Sequence, residues 1–265
     1  LAEFLPISSS GHLAIAEHFL GQAGIPATPD FFDVLLHLGT LVAVFVAYWQ
    51  DIREMVVELI DGIRDLAHGT TPNPIPPARR LILLIIVATL PLFAVLPVKD
   101  LVEALSGNIY FVAGALIVTG FLLFASDRVK KGRKTEKNAT LVDVLLVGVA
   151  QAIATCPGIS RSGTTITAGC FVGFDRKFAV RFSFLMSIPA ILGANLLTMI
   201  DAIQENTIIV SDIPVYLVGV AVAAVVGYAC IRLLKMIADK GKFGWFAYYC
   251  WTAGLIVLAL TLVLG

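Results

Sequence analysis

Residues 159–163 read Ile-Ser-Arg-Ser-Gly, and residues 7–11 carry a close copy, Ile-Ser-Ser-Ser-Gly. Four of the five positions are identical at an offset of 152 residues. Each copy follows helix-stopping residues, Pro6 in the first and Pro157–Gly158 in the second, within an otherwise apolar stretch. Polar, glycine-containing backbone is tolerated at membrane depth only where it is buried in protein or lines a cavity. The two copies therefore predict one composite site, built by two halves of a duplicated membrane protein.

The composition also indicates a membrane protein. Hydrophobic residues make up 58% and charged residues 14% of the 265 positions, with a mean hydropathy of +0.90, whereas a soluble domain is about a quarter charged. Basic and acidic residues balance at 19 each, so the overall charge says nothing about partners. The four cysteines lack the paired spacing of a disulfide framework or a zinc site. The chain does not begin with Met, and we expect residues upstream of Leu1 to be missing.

Six apolar segments are long enough to cross a bilayer of roughly 30 Å. We predict transmembrane helices at about 31–50, 80–98, 108–126, 178–200, 213–235 and 244–264. Two further apolar stretches, 1–25 and 140–174, are interrupted by the repeated motif, and each half is too short to span. We therefore predict two re-entrant helix pairs, which enter and leave the membrane on the same side.

The distribution of basic residues predicts the topology. All but two of the 19 lie in four groups between the predicted spans, at 53–80, 128–137, 176–181 and 232–242. With six spans and two re-entrant pairs, all four groups lie on one face, which the positive-inside rule makes cytoplasmic. The first re-entrant pair then enters from outside and the second from the cytoplasm.

The predicted fold is therefore all-α and integral to the membrane, with the two halves arranged as inverted-topology repeats. The first repeat covers residues 1–126, a basic cytoplasmic loop covers 127–139, and the second, inverted repeat covers 140–265. Residues 51–68 combine charged side chains at helical spacing with apolar ones. This pattern fits either an interfacial amphipathic helix or a solvated cytoplasmic connector.

The tips of both motifs offer groups that suit phosphate. Hydroxyl-bearing and glycine residues near helix N-termini expose backbone N–H groups, and the helix dipole favours an anion there. The candidate phosphate-binding residues are Ser8, Ser10, Gly11, Ser160, Arg161, Ser162, Gly163 and Thr165. Arg161 adds a permanently charged guanidinium that can bind phosphate through two parallel hydrogen bonds. A serine cluster at a helix start is most often only a cap, but two copies with an arginine at apolar depth favour an anion site.

The first motif supplies groups for proton transfer, because Glu3 precedes it and His12 follows it. His12 can act as base, acid or nucleophile near neutral pH, and Ser9 is an alternative nucleophile if His12 takes its proton. Glu3 could orient His12, act as a base or hold a divalent cation. The residues do not choose among these roles, so Glu3, Ser9, His12 and Arg161 are the candidate catalytic residues.

Two other pairs of titratable residues lie near the first motif. Glu17 and His18 follow His12 by one to two helical turns, and we expect them at the membrane interface. Asp33 and His37 share a helix face at i, i+4 spacing. Either could support the site, but we favour a helix-end or packing role.

The longer segments around both motifs resemble a known family. Residues 3–13 (Glu-Phe-Leu-Pro-Ile-Ser-Ser-Ser-Gly-His-Leu) and 157–165 (Pro-Gly-Ile-Ser-Arg-Ser-Gly-Thr-Thr) are similar to the signature motifs of the bacterial undecaprenyl-pyrophosphate phosphatase family, the bacitracin-resistance type. The resemblance extends through Phe182–Leu185 and Ile188–Pro189 to most of the chain. It implies hydrolysis of undecaprenyl diphosphate to undecaprenyl phosphate and inorganic phosphate, which recycles the lipid carrier for cell-wall synthesis.

The resemblance also implies roles for single residues. The positions that match the family's functional residues are Glu3, Ser9, His12, Ser160, Arg161 and Thr165. Glu3 matches the second acid of a Glu/Gln-x-x-x-Glu element. Ser9 and His12 match the proposed nucleophile or proton-transfer residues, and Ser160, Arg161 and Thr165 match phosphate-binding residues. The first acid of that element would lie four residues before Glu3, upstream of this sequence, and its repeat partner is Gln151.

Cofactor, location and partners follow from the same resemblance. It implies a divalent cation, Mg²⁺ or Ca²⁺, for which Glu3 is the candidate ligand. It also implies a multi-pass protein of the bacterial cytoplasmic (inner) membrane whose site opens to the outer face. The expected partners are a polyprenyl diphosphate lipid and the membrane, with no nucleic acid. The sequence is compatible with a homodimer and does not determine the oligomeric state.

A lipid-phosphate or anion transporter, or a flippase, is the rival hypothesis. Inverted repeats with broken helices near mid-membrane are typical of carriers, and an anion site there would serve a carrier equally well. Glu3 and His12 favour the enzyme, because a simple anion carrier does not require them.

Overall fold

The computed structural model describes residues 1–24, 30–70, 72–204 and 213–264, and the regular elements over these residues are all helices. The α-helices in chain order are α1 (Ser9–Gln22), α2 (Asp30–Ala47), α3 (Trp49–Ala67), α4 (Pro77–Thr89), α5 (Lys99–Ala104), α6 (Ile109–Ser126), α7 (Leu141–Ile153), α8 (Arg161–Phe171), α9 (Arg176–Gln204), α10 (Ile213–Lys240) and α11 (Gly244–Leu264). The predicted all-α class is confirmed. Residue 25, the last of the predicted stretch 1–25, lies outside the described residues. So does residue 265, the last of the predicted second repeat.

Five helical segments are long and apolar enough to cross a membrane: Pro77–Gly107, Ile109–Ser126, Arg176–Ile200, Ile213–Lys240 and Gly244–Val263. The first of them continues from α4 through short 3-10 turns into α5. These segments confirm five of the six predicted spans. The predicted span 31–50 differs, because α2 and α3 pass the same test only as a bent pair with 85° between them. The described residues thus form a multi-pass membrane protein with five candidate spans, or six if the bent pair is one.

The segments that carry the four basic groups meet at one end of the helix bundle. Arg181 donates hydrogen bonds to Asp51 at 3.2 Å and to Glu136 at 2.5 Å. Lys177 pairs with Asp239 at 3.0 Å. These contacts join the segments that carry the four groups.

α3 is the charged helix that the sequence placed at 51–68. Arg79 of α4 pairs with Glu58 at 3.1 Å and with Asp65 at 2.8 Å, so part of the acidic face is turned toward the protein. The apolar side chains left exposed on α3 are Trp49, Val56, Val57, Leu59, Ile60, Ile63 and Leu66, and all but Trp49 and Val57 lie along one stripe. A helix that bends away from an apolar helix and exposes an apolar stripe fits the interfacial interpretation better than the solvated connector.

α8, the helix of the second motif, lies in the interior of the bundle. It packs against α6, α7 and α9, while α2 packs along α10 and α6 along α11. Eight of its eleven residues are buried. This position directs the N-terminus of α8 toward the first motif.

Close packing of α7 against α4 predicts a specific loss of stability. A Cβ added at Gly148 would lie 2.3 Å from the Ala88 carbonyl oxygen, so Gly148→Ala must push the two helices apart. We expect this substitution to cost about 1–3 kcal/mol and to lower the thermal unfolding midpoint in detergent. Gly114→Ala in α6 is the matched control, because its new methyl group meets nothing within 4 Å and alanine is the better helix former. Equal midpoints for the two variants would contradict the packing described here.

Candidate active site

The first motif forms a capped helix start. Ser8 is the N-cap of α1, and its Oγ accepts a hydrogen bond from the Gly11 N–H at 3.1 Å. Ser8 has φ +67°, a left-handed conformation that few non-glycine residues adopt. The side chain is buried and already serves the helix start.

The second motif repeats this local structure. Ser160 is the N-cap of α8, and its Oγ accepts from the Gly163 N–H at 3.2 Å. Thr119 of α6 holds the preceding loop, because its Oγ1 accepts from the Ser160 N–H at 3.1 Å and donates to the Gly158 carbonyl at 3.3 Å. Ser160 was a candidate for phosphate binding, and the structure places it as a buried cap.

The two helix starts lie against each other in a reciprocal way. A Cβ at Gly11 would lie 3.0 Å from the Cα of Gly158, and a Cβ at Gly163 would lie 3.2 Å from the Cβ of Pro6. Gly163 and Gly158 are the positions 152 residues after Gly11 and Pro6. Each motif therefore contacts the other through equivalent positions, and the glycines permit the close approach.

Glu3 lies in the turn before the first motif, and its neighbour Phe4 anchors it. Phe4 is buried, and its ring packs against Phe184 of α9 with centroids 5.9 Å apart. A Cβ at Gly227 of α10 would lie 2.4 Å from the Phe4 ring, so this glycine makes room for it. The packing of Phe4 sets the position of the Glu3 backbone.

Glu3 joins the two motifs. Nη2 of Arg161, the first residue of α8, donates to Oε1 of Glu3 at 3.0 Å. Ser9 Oγ donates to the other oxygen, Oε2. The side chains of Arg161 and Glu3 are 33% and 16% exposed, so the pair is open to a ligand on one side. The structure thus brings together three of the four candidate catalytic residues.

His12, the fourth candidate, is held by other partners. Its Nδ1 lies 2.6 Å from the Ser8 carbonyl oxygen and carries the proton, because a carbonyl only accepts. Its Nε2 lies 2.7 Å from the Tyr249 hydroxyl, within hydrogen-bond distance. The two rings stack with centroids 5.6 Å apart. Both ring nitrogens of His12 are thus engaged away from Ser9 and Glu3.

The imidazole beside Glu3 belongs to His37 of α2. Its Nε2 lies 3.9 Å from Glu3 Oε2, and its Nδ1 lies 2.7 Å from the Asp33 carbonyl oxygen. The sequence favoured a packing or helix-end role for this pair. The structure instead turns His37 toward the carboxylate. The i, i+4 pair was the signal in the sequence, but it did not show which element α2 would face.

A small pocket opens beside the Glu3–Arg161 pair. Its lining residues are Glu3, Phe4, Thr40, Val44, Arg161, Ser162, Ser183, Phe184, Ser187 and Ile191. The hydroxyls of Thr40 and Ser187 were not among the predicted site residues. Ser183 and Ser187 lie one turn apart on α9, and such a pair of hydroxyls within a predicted span is the signal that could have identified Ser187.

The other predicted phosphate-binding residues lie in three different environments. Ser162 lines the pocket. Thr165 Oγ1 donates to the Arg161 carbonyl at 2.9 Å and lies 2.5 Å from the Ser183 hydroxyl, so Thr165 supports the start of α8. Ser10 is exposed, with its hydroxyl 3.4 Å from that of Ser8.

Comparison with known proteins gives a consistent family. Residues 1–256 match the family described as "Bacitracin resistance protein BacA". The chain is 38% identical to an "Undecaprenyl-diphosphatase" of Methanosphaera stadtmanae, covering 100% of this chain and 95% of that protein. It is 40% identical to proteins of the same name from Alkaliphilus metalliredigens (99% and 95% covered) and Syntrophotalea carbinolica (98% and 94% covered).

Proposed function

This chain belongs to the bacitracin resistance protein BacA family, and on that premise we propose that it is an undecaprenyl-diphosphate phosphatase. It hydrolyses undecaprenyl diphosphate to undecaprenyl phosphate and inorganic phosphate, as the names of its full-length relatives support. The observation that carries this proposal is the contact of Arg161 and Ser9 with the two oxygens of one carboxylate, that of Glu3. Arg161 and Glu3 line one pocket, and Ser9 contacts Glu3. An arginine, a hydroxyl and a base are the groups that phosphoryl transfer needs.

Arg161 binds the terminal phosphate in this proposal. Its guanidinium has five N–H donors, and Glu3 accepts from one of its nitrogens, so donors remain for phosphate oxygens. The N-terminus of α8 adds the positive end of a helix dipole, and Ser162 adds a hydroxyl at the pocket wall. These groups neutralise the charge that develops on the phosphoryl oxygens in the transition state.

Ser9 is the nucleophile that this geometry favours. Its Oγ–H already donates to Glu3, so Glu3 takes the proton while Oγ bonds to the terminal phosphorus. The bond from that phosphorus to the bridging oxygen breaks, and undecaprenyl phosphate leaves. Glu3 then releases the proton that it took from Ser9 to solvent. Water attacks the phosphoserine, Glu3 takes one proton from the water and passes it to the departing Ser9 oxygen, and inorganic phosphate is released. The alternative nucleophile, His12, has both nitrogens engaged by Ser8 and Tyr249.

A divalent cation, Mg²⁺ or Ca²⁺, fits this site only together with the substrate. Among the described residues, no group of three or more His, Cys, Asp or Glu side chains is arranged to hold a metal. Glu3 is the carboxylate that lines the pocket, and Mg²⁺ is commonly held by one or two carboxylates plus phosphate oxygens. Glu3 would hold the cation with the diphosphate, and the cation would neutralise phosphate charge. We expect a chelator to lower the rate about tenfold or more and added Mg²⁺ or Ca²⁺ to restore it. An unchanged rate in chelator would contradict the cation requirement.

We further propose that the halves 1–126 and 140–265 are inverted-topology repeats, each opening with a re-entrant pair. The reciprocal contacts between Gly11 and Gly158 and between Gly163 and Pro6 support this arrangement, since the partners are related by the 152-residue offset. The site then opens to the outer face of the cytoplasmic membrane. The packing of α1 against the turn Leu105–Gly107, which the predicted topology places opposite the basic face, supports this orientation.

Phosphate release from reconstituted protein tests the proposed function. Full-length protein in liposomes is given undecaprenyl diphosphate, and inorganic phosphate and undecaprenyl phosphate are measured. The enzyme produces both in equal amounts. Movement of the lipid between leaflets without phosphate release would favour the transporter or flippase and overturn the proposal.

A further inference from the structure

The side-chain amide of Asn195, in the second half of α9, is buried without a hydrogen-bond donor contact of its own. Asn195 is 8% exposed, and nothing in the described part of the chain accepts from its Nδ2. Of residues 191–197, only Ile191 and Asn195 are buried, so both lie on the inward face of the helix. A buried N–H group without a partner loses its bonds to water and gains none in return. The position therefore suits a ligand that supplies the missing acceptor.

Asn195 continues the line of α9 side chains that form the pocket wall. Three members of this line, at intervals of four residues, are pocket residues: Ser183, Ser187 and Ile191. Asn195 is the next in the series, about 6 Å further along the helix axis. Met199, another turn along, packs instead against the cluster of Phe31 and Tyr216. Asn195 thus lies directly beyond the pocket and before that aromatic cluster.

Two contacts show how α9 runs along α2. The ring of Phe184 packs against Tyr48, just after the end of α2, with centroids 6.0 Å apart. Met199 packs against the cluster that contains Phe31, at the start of α2. The two helices are therefore antiparallel. Because both advance by the same rise per residue, Asn195 is level with the turn of α2 around residues 35–37.

The guanidinium of Arg161 reaches the same level. Nε2 of His37 lies 3.9 Å from Oε2 of Glu3, and Nη2 of Arg161 donates to Oε1 of that carboxylate at 3.0 Å. A terminal phosphate bound to Arg161 therefore lies at a depth similar to that of Asn195. The second phosphate of a diphosphate is only one bridging oxygen away, and Asn195 offers it a donor at the edge of the pocket.

We propose that Asn195 donates a hydrogen bond to the lipid-side phosphate of undecaprenyl diphosphate, while Arg161 binds the terminal phosphate. The inference rests on the proposed function. An ionised phosphate oxygen is a strong acceptor, which matches an amide NH₂ group without a partner. When the bond from the terminal phosphorus to the bridging oxygen breaks, negative charge develops on the lipid-side phosphate, and the amide stabilises it. Because the amide is neutral, it holds the monophosphate product less tightly than an arginine would.

The two reaction products test this proposal, because each carries one of the two phosphates. We expect Asn195→Leu to raise KM for undecaprenyl diphosphate and the inhibition constant of undecaprenyl phosphate about tenfold, as the loss of one hydrogen bond to a charged group predicts. The inhibition constant of inorganic phosphate should not change, because that anion binds to Arg161. An unchanged constant for undecaprenyl phosphate, or an equal rise in both constants, would overturn the inference.

Asn195→Asp is a second test that keeps the size of the side chain. A carboxylate repels the lipid-side phosphate, so the inhibition constant of undecaprenyl phosphate should rise further than in Asn195→Leu. The leucine variant should keep the unfolding midpoint of the wild type, because it removes a buried donor that has no partner in the protein. A lowered midpoint with unchanged inhibition by undecaprenyl phosphate would assign Asn195 a structural role and contradict the proposal.

Thr198→Val is the matched control on the same helix. Its Oγ1 donates to the Ala194 carbonyl of its own helix at 3.3 Å, so its loss should change neither KM nor either inhibition constant. The outcome for this inference is separate from that of the proposed function. Absence of phosphate release by the wild type would overturn the function itself, whereas normal release with unaltered product inhibition in Asn195→Leu would overturn only the role of Asn195.

Discussion

Arg161→Ala is expected to lower kcat/KM for phosphate release by about 1,000-fold or more. The substitution removes the guanidinium that donates to Glu3 across the two motifs and that faces the pocket. Arg161→Lys should recover only a small part of the loss, because an ammonium group cannot reproduce the planar, two-pronged contact with phosphate. The measurement is phosphate release from undecaprenyl diphosphate at saturating cation.

Arg64→Ala is the control for this change. Arg64 is 70% exposed on α3 and pairs with Asp61 at 3.4 Å, so its loss should leave both kcat and KM unchanged. Unfolding midpoints of both variants establish that they are folded. If Arg161→Ala keeps activity within about tenfold of wild type, a loss too small for a group that neutralises transition-state charge, the assignment of Arg161 to phosphate is wrong.

Ser9→Ala is expected to abolish turnover, because it removes the atom that attacks phosphorus. With substrate labelled in its terminal phosphate, rapid quenching of the wild type should leave label on Ser9, and the variant should carry none. The hydrogen bond from Ser9 to Glu3 is the physical basis, since it supplies a base at the nucleophile.

Ser106→Ala is a suitable control, because that hydroxyl is exposed and donates to the backbone carbonyl of Glu103. It should behave as wild type. Label found on His12, or substantial turnover by Ser9→Ala, would show that the nucleophile has been misassigned and would direct attention to the pair formed by His12 and Tyr249.

Local signals in the sequence were sufficient for much of the fold. Hydropathy located the helices that match five of the six predicted spans, because span length depends only on bilayer thickness. The repeated motif predicted two helix starts that form one composite site, and the meeting of Glu3 with Arg161 followed from treating the copies as halves of that site. The bend of 85° between α2 and α3 was not predictable in this way, because it falls at Tyr48, which is buried against Phe184, a residue distant in the sequence.

The orientation of single side chains depended on distant contacts. His12 is 237 residues from Tyr249, the partner that holds its Nε2. His37 approaches Glu3 because of the packing of α2 against α9 and α10. The spacing of the motifs contains no information about either contact. The sequence therefore placed histidines near the site without indicating which one would face the carboxylate of Glu3.

The polar residues of the pocket wall could not be predicted from local sequence patterns either. Thr40 and Ser187 are hydroxyl residues within predicted spans, and a cap or a helix-internal hydrogen bond explains such residues equally well until the neighbouring helices are known. Ser8 and Ser160 show the converse case, since residues that suit phosphate chemically serve here as helix caps.

The account depends on a phosphate site formed where the two motifs meet. An experimental structure of the protein with a prenyl methylenediphosphonate, in which a methylene group replaces the bridging oxygen, tests this directly. We expect the terminal phosphonate to contact the Arg161 guanidinium, with its phosphorus about 3–3.5 Å from Ser9 Oγ and the methylene on the opposite side. A phosphonate bound beside His12 and Tyr249, with Arg161 still paired only to Glu3, would contradict the account.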